Sequence, residues 1–263
     1  EFLATAREDQ KFGISMSDVP ALVAKIRESS NLEFLGLHSH IGSQIFSPEG
    51  FVEAAKRLIK LQVELLKSGP VPELNLGGGY GINYTAADDA PEIGDFAKQI
   101  TDAVAAACIE HGISVPKLAF EPGRAIAGPA GVTLYTVGTI KDVRIDDSIR
   151  KYVSIDGGMS DNMRTALYQA AYTVRLASRV SSAEQALVRV VGRHCESGDI
   201  VVRDDYLPGD VSNGDTLVVA ATGAYCFSLS NNYNFLTRPP VVAVRSGKAR
   251  LIVRGETEAD LFD

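Results

Sequence analysis

The chain has 263 residues, 45% of them hydrophobic, a composition that builds one large or two medium domains and excludes a disordered protein. Its net charge of −7 disfavours nucleic acid and anionic membranes as partners, because no global positive field would attract it to them. The 3 cysteines are scattered and form no CxxC pair, so the sequence predicts a reducing environment without a disulfide framework or a zinc site.

The first residues and the apolar runs bear on targeting. No apolar run approaches the roughly 20 residues of a membrane span. The start, Glu1 to Ala4, lacks an initiator methionine and the basic-then-apolar pattern of a signal peptide. We therefore expect a cytoplasmic protein, and a sequence that begins within a longer gene product.

Up to about Pro129 the sequence alternates short apolar runs with long helical periodicities, which predicts a parallel sheet with helices, as in a (β/α) barrel. The helix that begins near Phe51 is stopped by Ser68-Gly69-Pro70. The predicted elements are a weak strand at 11–15, a strand at 32–37, a helix at 51–66, a strand at 73–76, a helix at 91–111 and a strand at 117–120.

Each of the three clear strands ends in a polar or glycine-rich loop. The loops are HSHIGS at 38–43, GGGYG at 77–81 and EPGR at 121–124. Functional residues of a (β/α) barrel gather at such strand ends, so we expect a site there.

After Pro129 the sequence pattern predicts mainly β-strands, and Ser246-Gly247 marks the turn of a hairpin. The predicted strands are 132–143, 152–155, 186–191, 200–202, 216–220, 241–244 and 249–253. We expect two domains, half of a barrel over 1–129 and a β-rich sandwich or barrel over 130–263. Only about four parallel strands precede the boundary, and half a barrel would expose two sheet edges, so we expect an upstream part.

Two of the strand-end loops suggest cofactor chemistry. Gly77 to Gly81 can close backbone N–H groups around a phosphate or can be a flexible turn, and its spacing fails the dinucleotide fingerprint. Glu121 can keep a pyridine nitrogen protonated while Arg124 binds a phosphate or a carboxylate. The alternative for this pair is an internal ion pair that fixes a turn.

Histidine and cysteine supply further candidates. Alternation along an extended segment directs His38 and His40 to opposite sides, so we expect only His40, with Ser43, to meet a cofactor and His38 to be an ordinary core or surface residue. No carboxylate or cysteine lies at metal-ligand spacing from them. Cys195 lies in a polar turn and can act as a general acid, whereas Cys108 and Cys226 fit buried structural positions.

Six motifs, in order, resemble those of the diaminopimelate decarboxylases, a group of barrel-type (fold III) decarboxylases that use pyridoxal 5'-phosphate (PLP). They are HSHIGS, NLGGGYG, EPGRAIAGP, VSIDGGMSDNMRTALY, HCESGD and ATGAYCFSLSNNYN. The resemblance implies the C-terminal half of a PLP-binding (β/α)8 barrel followed by a β-rich domain. It also implies release of CO2 from meso-2,6-diaminopimelate to give L-lysine, the last step of lysine biosynthesis.

The resemblance also assigns site residues. Cys195 would protonate the carbon that loses CO2, and with Glu196 it would reach the cofactor of the other subunit in a homodimer. The cofactor residues would be His40 on the ring face, Glu121 at the ring nitrogen, and Ser43, Gly78, Gly79, Gly123, Arg124 and Tyr225 around the phosphate. The substrate residues would be Arg124, Arg164, Tyr168, Glu196 and Tyr225.

One departure from the family pattern concerns the lysine that carries PLP. The family has it in an early Tyr-Ala-x-Lys-like segment, and no lysine here has that context, so we expect this stretch alone to be inactive. Decarboxylases for ornithine or arginine share several of the motifs, and a non-catalytic regulatory homologue is a further alternative. The combination of Arg164, Tyr168 and Glu196 favours diaminopimelate, because a second amino-acid centre needs both an anion-binding and a cation-binding group.

Overall fold

The computed structural model describes residues 11–262, and the chain divides into two compact units. Among the described residues, 11–83 together with 88–126 belong to the first unit, and 84–87 together with 127–262 belong to the second. Among residues 11–262, no helix has both the length and the apolarity needed to cross a bilayer.

The first unit is built on three short parallel strands that lie in sequence order. They are β1 (Gly36–His38), β2 (Glu73–Asn75) and β3 (Lys117–Ala119), and the helices are α1 (Val19–Glu28), α2 (Glu49–Leu66), α3 (Ile93–Glu110) and the short α4 (Gly123–Ala127). His38 pairs with Asn75, and Asn75 pairs with Ala119, so the three strands end level. The parallel sheet with helices, predicted from sequence, is confirmed.

Three aromatic rings form the centre of this unit's core. Phe51 of α2 stacks on Tyr80 at 4.9 Å between ring centroids, and Phe96 of α3 meets both rings edge-on at 5.5 and 5.4 Å. Phe51 and Phe96 are almost completely buried, which stabilises the fold by about 1.5–3 kcal/mol for each side chain. Burial raises the pKa of Tyr80 to about 12. Both long helices therefore hold the glycine-rich loop in place, because Phe51 of α2 and Phe96 of α3 pack on Tyr80 of that loop.

Two strand predictions in this unit need correction. The strand predicted at 32–37 is paired only over Gly36–His38, because the facing residues before Glu73 include Pro70 and Pro72, which have no N–H to donate to a ladder. Residues 11–15 form no strand. Helix α1 was not predicted, although Pro20 in its first turn is a helix-start signal.

The second unit carries a six-stranded sheet in the order β6-β9-β4-β5-β7-β8 and a separate hairpin, β10-β11. The long strand β4 pairs with β9 through its first residues and with β5 from Val137 onward. The strands are β4 (Thr133–Ile145), β5 (Ser148–Ile155), β6 (Val174–Leu176), β7 (Gln185–Val191), β8 (Ile200–Pro208), β9 (Thr216–Val219), β10 (Val241–Arg245) and β11 (Lys248–Val253), with short helices α5 (Arg164–Tyr168) and α6 (Cys226–Leu229). The predicted β-rich texture is confirmed, and β6 is an unpredicted addition.

Candidate active site

At the carboxyl ends of β1, β2 and β3, two side chains converge on one oxygen of Glu121. Asn75 Nδ2 donates to Glu121 Oε1 at 2.9 Å, and His38 Nε2 lies 3.3 Å from the same oxygen. The side chains of His38 and Glu121 are about half-exposed, at 50% and 52%. His38, predicted to be an ordinary core or surface residue, lies at the surface and also contacts Glu121. Strand β1 ends at His38, so the alternation of an extended segment does not govern where His40 points.

The glycine-rich loop is tied to both neighbouring loops. The Gly77 N–H donates to Asn75 Oδ1 at 2.8 Å, and the Gly78 N–H donates to His40 Nδ1 at 3.1 Å. Since a backbone N–H can only donate, Nδ1 of His40 is an acceptor and the neutral ring carries its proton on Nε2. The ring of His40 is thereby held in one orientation beside the loop.

Close backbone approach explains two of the glycines in this loop. A Cβ on Gly78 would lie 2.2 Å from the carbonyl oxygen of Glu121, and one on Gly79 would lie 2.2 Å from that of Gly42. Gly79 also has φ +103°, where side chains are strained. Gly123, in contrast, faces open space, with no atom within 4 Å of an added Cβ.

A buried cation lies among these loops. Arg124, which is 6% exposed, donates from Nη2 to Ser43 Oγ at 2.5 Å. The first unit therefore brings together a flat imidazole, a strand-end carboxylate, glycine backbone and an Arg–Ser pair. This arrangement can bind a planar ring that carries both a basic nitrogen and an anionic group.

In the second unit, Arg164 lies in an aromatic cage. Its guanidinium lies over the rings of Tyr84, Tyr172 and Tyr225, at 4.9, 5.7 and 5.6 Å from their centroids. Arg164 is only 7% exposed, yet no carboxylate within residues 11–262 forms an ion pair with it. A buried guanidinium is costly without an anion. The cage therefore presents a positive charge suited to a ligand carboxylate. Tyr168, one turn further along α5, is exposed.

The turn that carries Cys195 and Glu196 is held by hydrogen bonds of its neighbours Asp199 and His194. The Asp199 carboxylate accepts the N–H groups of His194 and Met159 at 2.8 and 2.6 Å. The imidazole of His194 is hydrogen-bonded on both sides, to Ser160 Oγ at 2.9 Å and Asn234 Oδ1 at 3.0 Å. The adjacent thiol of Cys195 is exposed, whereas Cys108 and Cys226 are buried. The hydrogen bonds of Asp199 and His194 fix this turn, and the free thiol of Cys195 on it is exposed to solvent.

Glu196 has a tyrosine partner. The Tyr233 hydroxyl donates a short hydrogen bond to Glu196 Oε1, and the Tyr233 ring stacks on His194 at 5.5 Å between centroids. The hydrogen bond to Glu196 raises the pKa of Tyr233, so the tyrosine remains a donor at neutral pH. The carboxylate of Glu196 is thereby held in place by Tyr233.

Comparisons with known proteins give the family. The family described as pyridoxal-dependent decarboxylase, pyridoxal binding domain, matches residues 1–128. Over the whole chain, 52% of residues are identical to a diaminopimelate decarboxylase of Mycobacterium tuberculosis, with 61% of that protein covered. The value for the enzyme of Mycobacterium leprae is 54%, with 57% covered.

The chain belongs to the diaminopimelate decarboxylase family. A crystal structure of the Helicobacter pylori diaminopimelate decarboxylase complexed with L-lysine superposes with a TM-score of 0.86 at 27% identity, covering 99% of this chain and 62% of that one. The chain thus spans about three fifths of the length of the relatives it matches.

The cofactor of this family is PLP, and the geometry of the first unit fits it. The ring face would meet His40, the ring nitrogen would meet Glu121, and the phosphate would meet Ser43, Arg124 and the glycine backbone. An added Cβ on Gly123 would meet no atom within 4 Å, so the space beside this glycine is open to a ligand. Sequence reasoning missed four side chains that contact these predicted residues. They are His38 and Asn75 beside Glu121, Tyr172 beside Arg164, and Tyr233 beside Glu196.

A strand-level signal pointed to some of these residues. Asn75 lies two residues before the glycine run, and His38 ends its strand as Asn75 does. The partners of Arg164 carry no comparable signal, because Tyr84 lies 80 residues away along the chain.

Proposed function

We propose that the protein to which this chain belongs releases CO2 from meso-2,6-diaminopimelate and yields L-lysine, with PLP as cofactor. The observation that carries the proposal is the identity of 52% to 54% with diaminopimelate decarboxylases along the whole chain. The caged Arg164 adds support, because a substrate with a distal amino-acid centre brings a second carboxylate. Free thiols at all three cysteines favour a reducing cytoplasm as the site of the reaction.

In the proposed reaction the first unit binds and orients the cofactor. Bound PLP withdraws electrons from the bond between the substrate carbon and its carboxylate. Glu121 holds a proton at the ring nitrogen, which maintains that electron demand, and His40 packs on the ring face. Ser43, Gly78, Gly79, Gly123 and Arg124 of this unit hold the phosphate region, and Tyr225, from the second unit, is the remaining proposed phosphate residue.

The second unit supplies substrate recognition. Arg164 pairs with a substrate carboxylate, and the three tyrosine rings around it keep the planar guanidinium desolvated. Glu196, held by Tyr233, accepts the distal ammonium group. Tyr168 and Tyr225 of this unit, and Arg124 of the first unit, are the other proposed substrate contacts. Specificity follows because an ornithine-like substrate lacks the second carboxylate and would leave Arg164 buried without an anion.

Cys195 supplies the proton that balances the reaction. When the carbon–carbon bond breaks and CO2 leaves, the carbon needs a proton, and the exposed thiol of Cys195 is the proposed donor. The thiol and Glu196 would act in the site of a second copy, which makes the enzyme a homodimer. The exposure of Cys195 supports this arrangement.

The test uses the full-length protein with PLP. We expect CO2 release from meso-diaminopimelate and little from L-ornithine or L-arginine, and we expect Cys195→Ala to slow turnover strongly. Cys108→Ala is the matched control, since that thiol is buried in α3. Faster release from ornithine would assign the enzyme to the related substrate class. No release from any of the three amino acids would favour a non-catalytic homologue.

A further inference from the structure

Two neighbouring side chains contact the same carboxylate oxygen of Glu121. Asn75 Nδ2 and His38 Nε2 lie 2.9 and 3.3 Å from Oε1. Among the residues that the structure describes, Oε2 has no hydrogen-bond partner. A carboxylate anchored through one oxygen keeps a fixed direction at the other.

The two anchors come from adjacent strands in register. His38 and Asn75 are Cα partners at the ends of β1 and β2, and Asn75 also accepts the Gly77 N–H. The position of Glu121 is thus linked to the loop that orients His40 through Gly78. The side-chain amide of Asn75 uses both its nitrogen and its oxygen in these hydrogen bonds. His38, in contrast, contacts Glu121 from a half-exposed position.

We propose that His38 is a positioning residue for Glu121: its Nε2, 3.3 Å from Oε1, fixes that oxygen, so that Oε2 faces the ring nitrogen of the cofactor. The interaction needs Nε2 to carry a proton, which both the Nε2–H tautomer and the imidazolium provide. His38 does not touch substrate in this role, and its effect passes through Glu121. This role adds a residue to the cofactor site of the proposed function, and it rests only on the part of that function that concerns PLP binding.

The variants separate the polar contact between His38 Nε2 and Glu121 from the bulk of the ring. His38→Phe keeps the flat ring and removes both nitrogens, whereas His38→Gln retains an N–H donor near the position of Nε2. His38→Leu repeats the removal with a smaller side chain, so that a folding failure of one variant leaves the comparison in place. His111→Phe, at the exposed C-terminal end of α3, is the matched control.

The decisive measurement is the 15N chemical shift of ring-labelled PLP bound to the full-length protein. We expect His38→Phe and His38→Leu to move the shift toward the unprotonated value, and His38→Gln and His111→Phe to leave it near wild type. The kcat for decarboxylation should fall about 5-fold to 10-fold in the first two variants with little change in KM, as for loss of one polar contact.

The outcomes are distinct from those that test the proposed function. A wild-type shift in both His38→Phe and His38→Leu would overturn the proposal, as would an equal change in His38→Gln. A protein that binds PLP but leaves diaminopimelate intact would defeat the proposed function, while the 15N comparison would still decide the role of His38.

Discussion

The Arg164 guanidinium donates a 2.6 Å hydrogen bond to the Tyr172 hydroxyl, and the sulfur of Cys226 lies 3.4 Å from the same hydroxyl. Burial raises the pKa of Tyr172 well above its ordinary value. Tyr172 therefore stays neutral and orients Arg164 without cancelling its charge. The charge remains available to an anionic ligand.

We expect Tyr172→Phe to raise KM for meso-diaminopimelate about 5-fold, because one net hydrogen bond contributes about 1 kcal/mol. The absorbance of bound PLP should stay unchanged, since the variant affects the substrate residue alone. Steady-state kinetics and the absorption spectrum measure both quantities. Tyr206→Phe, on the exposed face of β8, is the control. An unchanged KM in Tyr172→Phe would show that Arg164 keeps its position without this hydroxyl.

If the thiol of Cys195 acts in the active site of the other subunit, mixing two inactive variants should restore activity. Mixing inactive Cys195→Ala protein with a second inactive variant, in which the PLP-bearing lysine is replaced, should restore part of the activity, because some hybrid sites combine two intact contributions. Activity after mixing and reassociation is the measurement, and mass spectrometry counts the hybrid dimers. Hybrids without activity would place Cys195 in the site of its own subunit.

The long helices and their stops could be predicted from sequence, because 18 residues of apolar periodicity identify a face independently of its partner. Helices α2 and α3 begin and end within two residues of the predicted bounds. Strand β1 could not be bounded in the same way, since its ladder depends on which residues face it from β2. Pro70 and Pro72 shorten that ladder, and only the register shows it.

The candidate site was predictable in its motifs and unpredictable in its contacts. Strand-end loops direct Glu121, His40 and the glycines to one edge, a rule that needs only the β/α alternation. The contact between His38 and Glu121 depends on β1 ending at His38, which local periodicity does not specify. The cage of Arg164 depends on Tyr84 joining the second unit, which no short-range pattern indicates.

Two glycines make a matched pair for cofactor binding. Gly78→Ala should destabilise the fold, because the added Cβ would lie 2.2 Å from a backbone oxygen. Gly123→Ala enters open space and should keep the melting temperature while weakening PLP affinity, if that space receives the phosphate. Thermal unfolding without cofactor and PLP titration separate the two effects. Equal melting temperatures for wild type and Gly78→Ala would contradict the close approach of Gly78 to Glu121.

The loop around Arg179 predicts a pH dependence of stability. Arg179 donates to Asp215 at 3.0 and 2.9 Å and to Asp210 at 2.9 Å. Hydrogen bonding from Arg179 lowers the pKa of Asp215 below its ordinary value. A lowered carboxyl pKa stabilises the folded state above the unfolded value of about 4, and this contribution disappears as pH falls through the folded value.

Arg179→Gln should therefore lower the melting temperature at pH 7, and the gap to wild type should narrow progressively below about pH 4. Thermal unfolding followed by circular dichroism at several pH values between 7 and 3 measures the gap. Arg245→Gln is the control, because Arg245 is exposed at the end of β10 and forms no ion pair within residues 11–262. A gap that stays constant down to pH 3 would mean that Arg179 stabilises the loop through packing, since packing does not depend on the charge of Asp215.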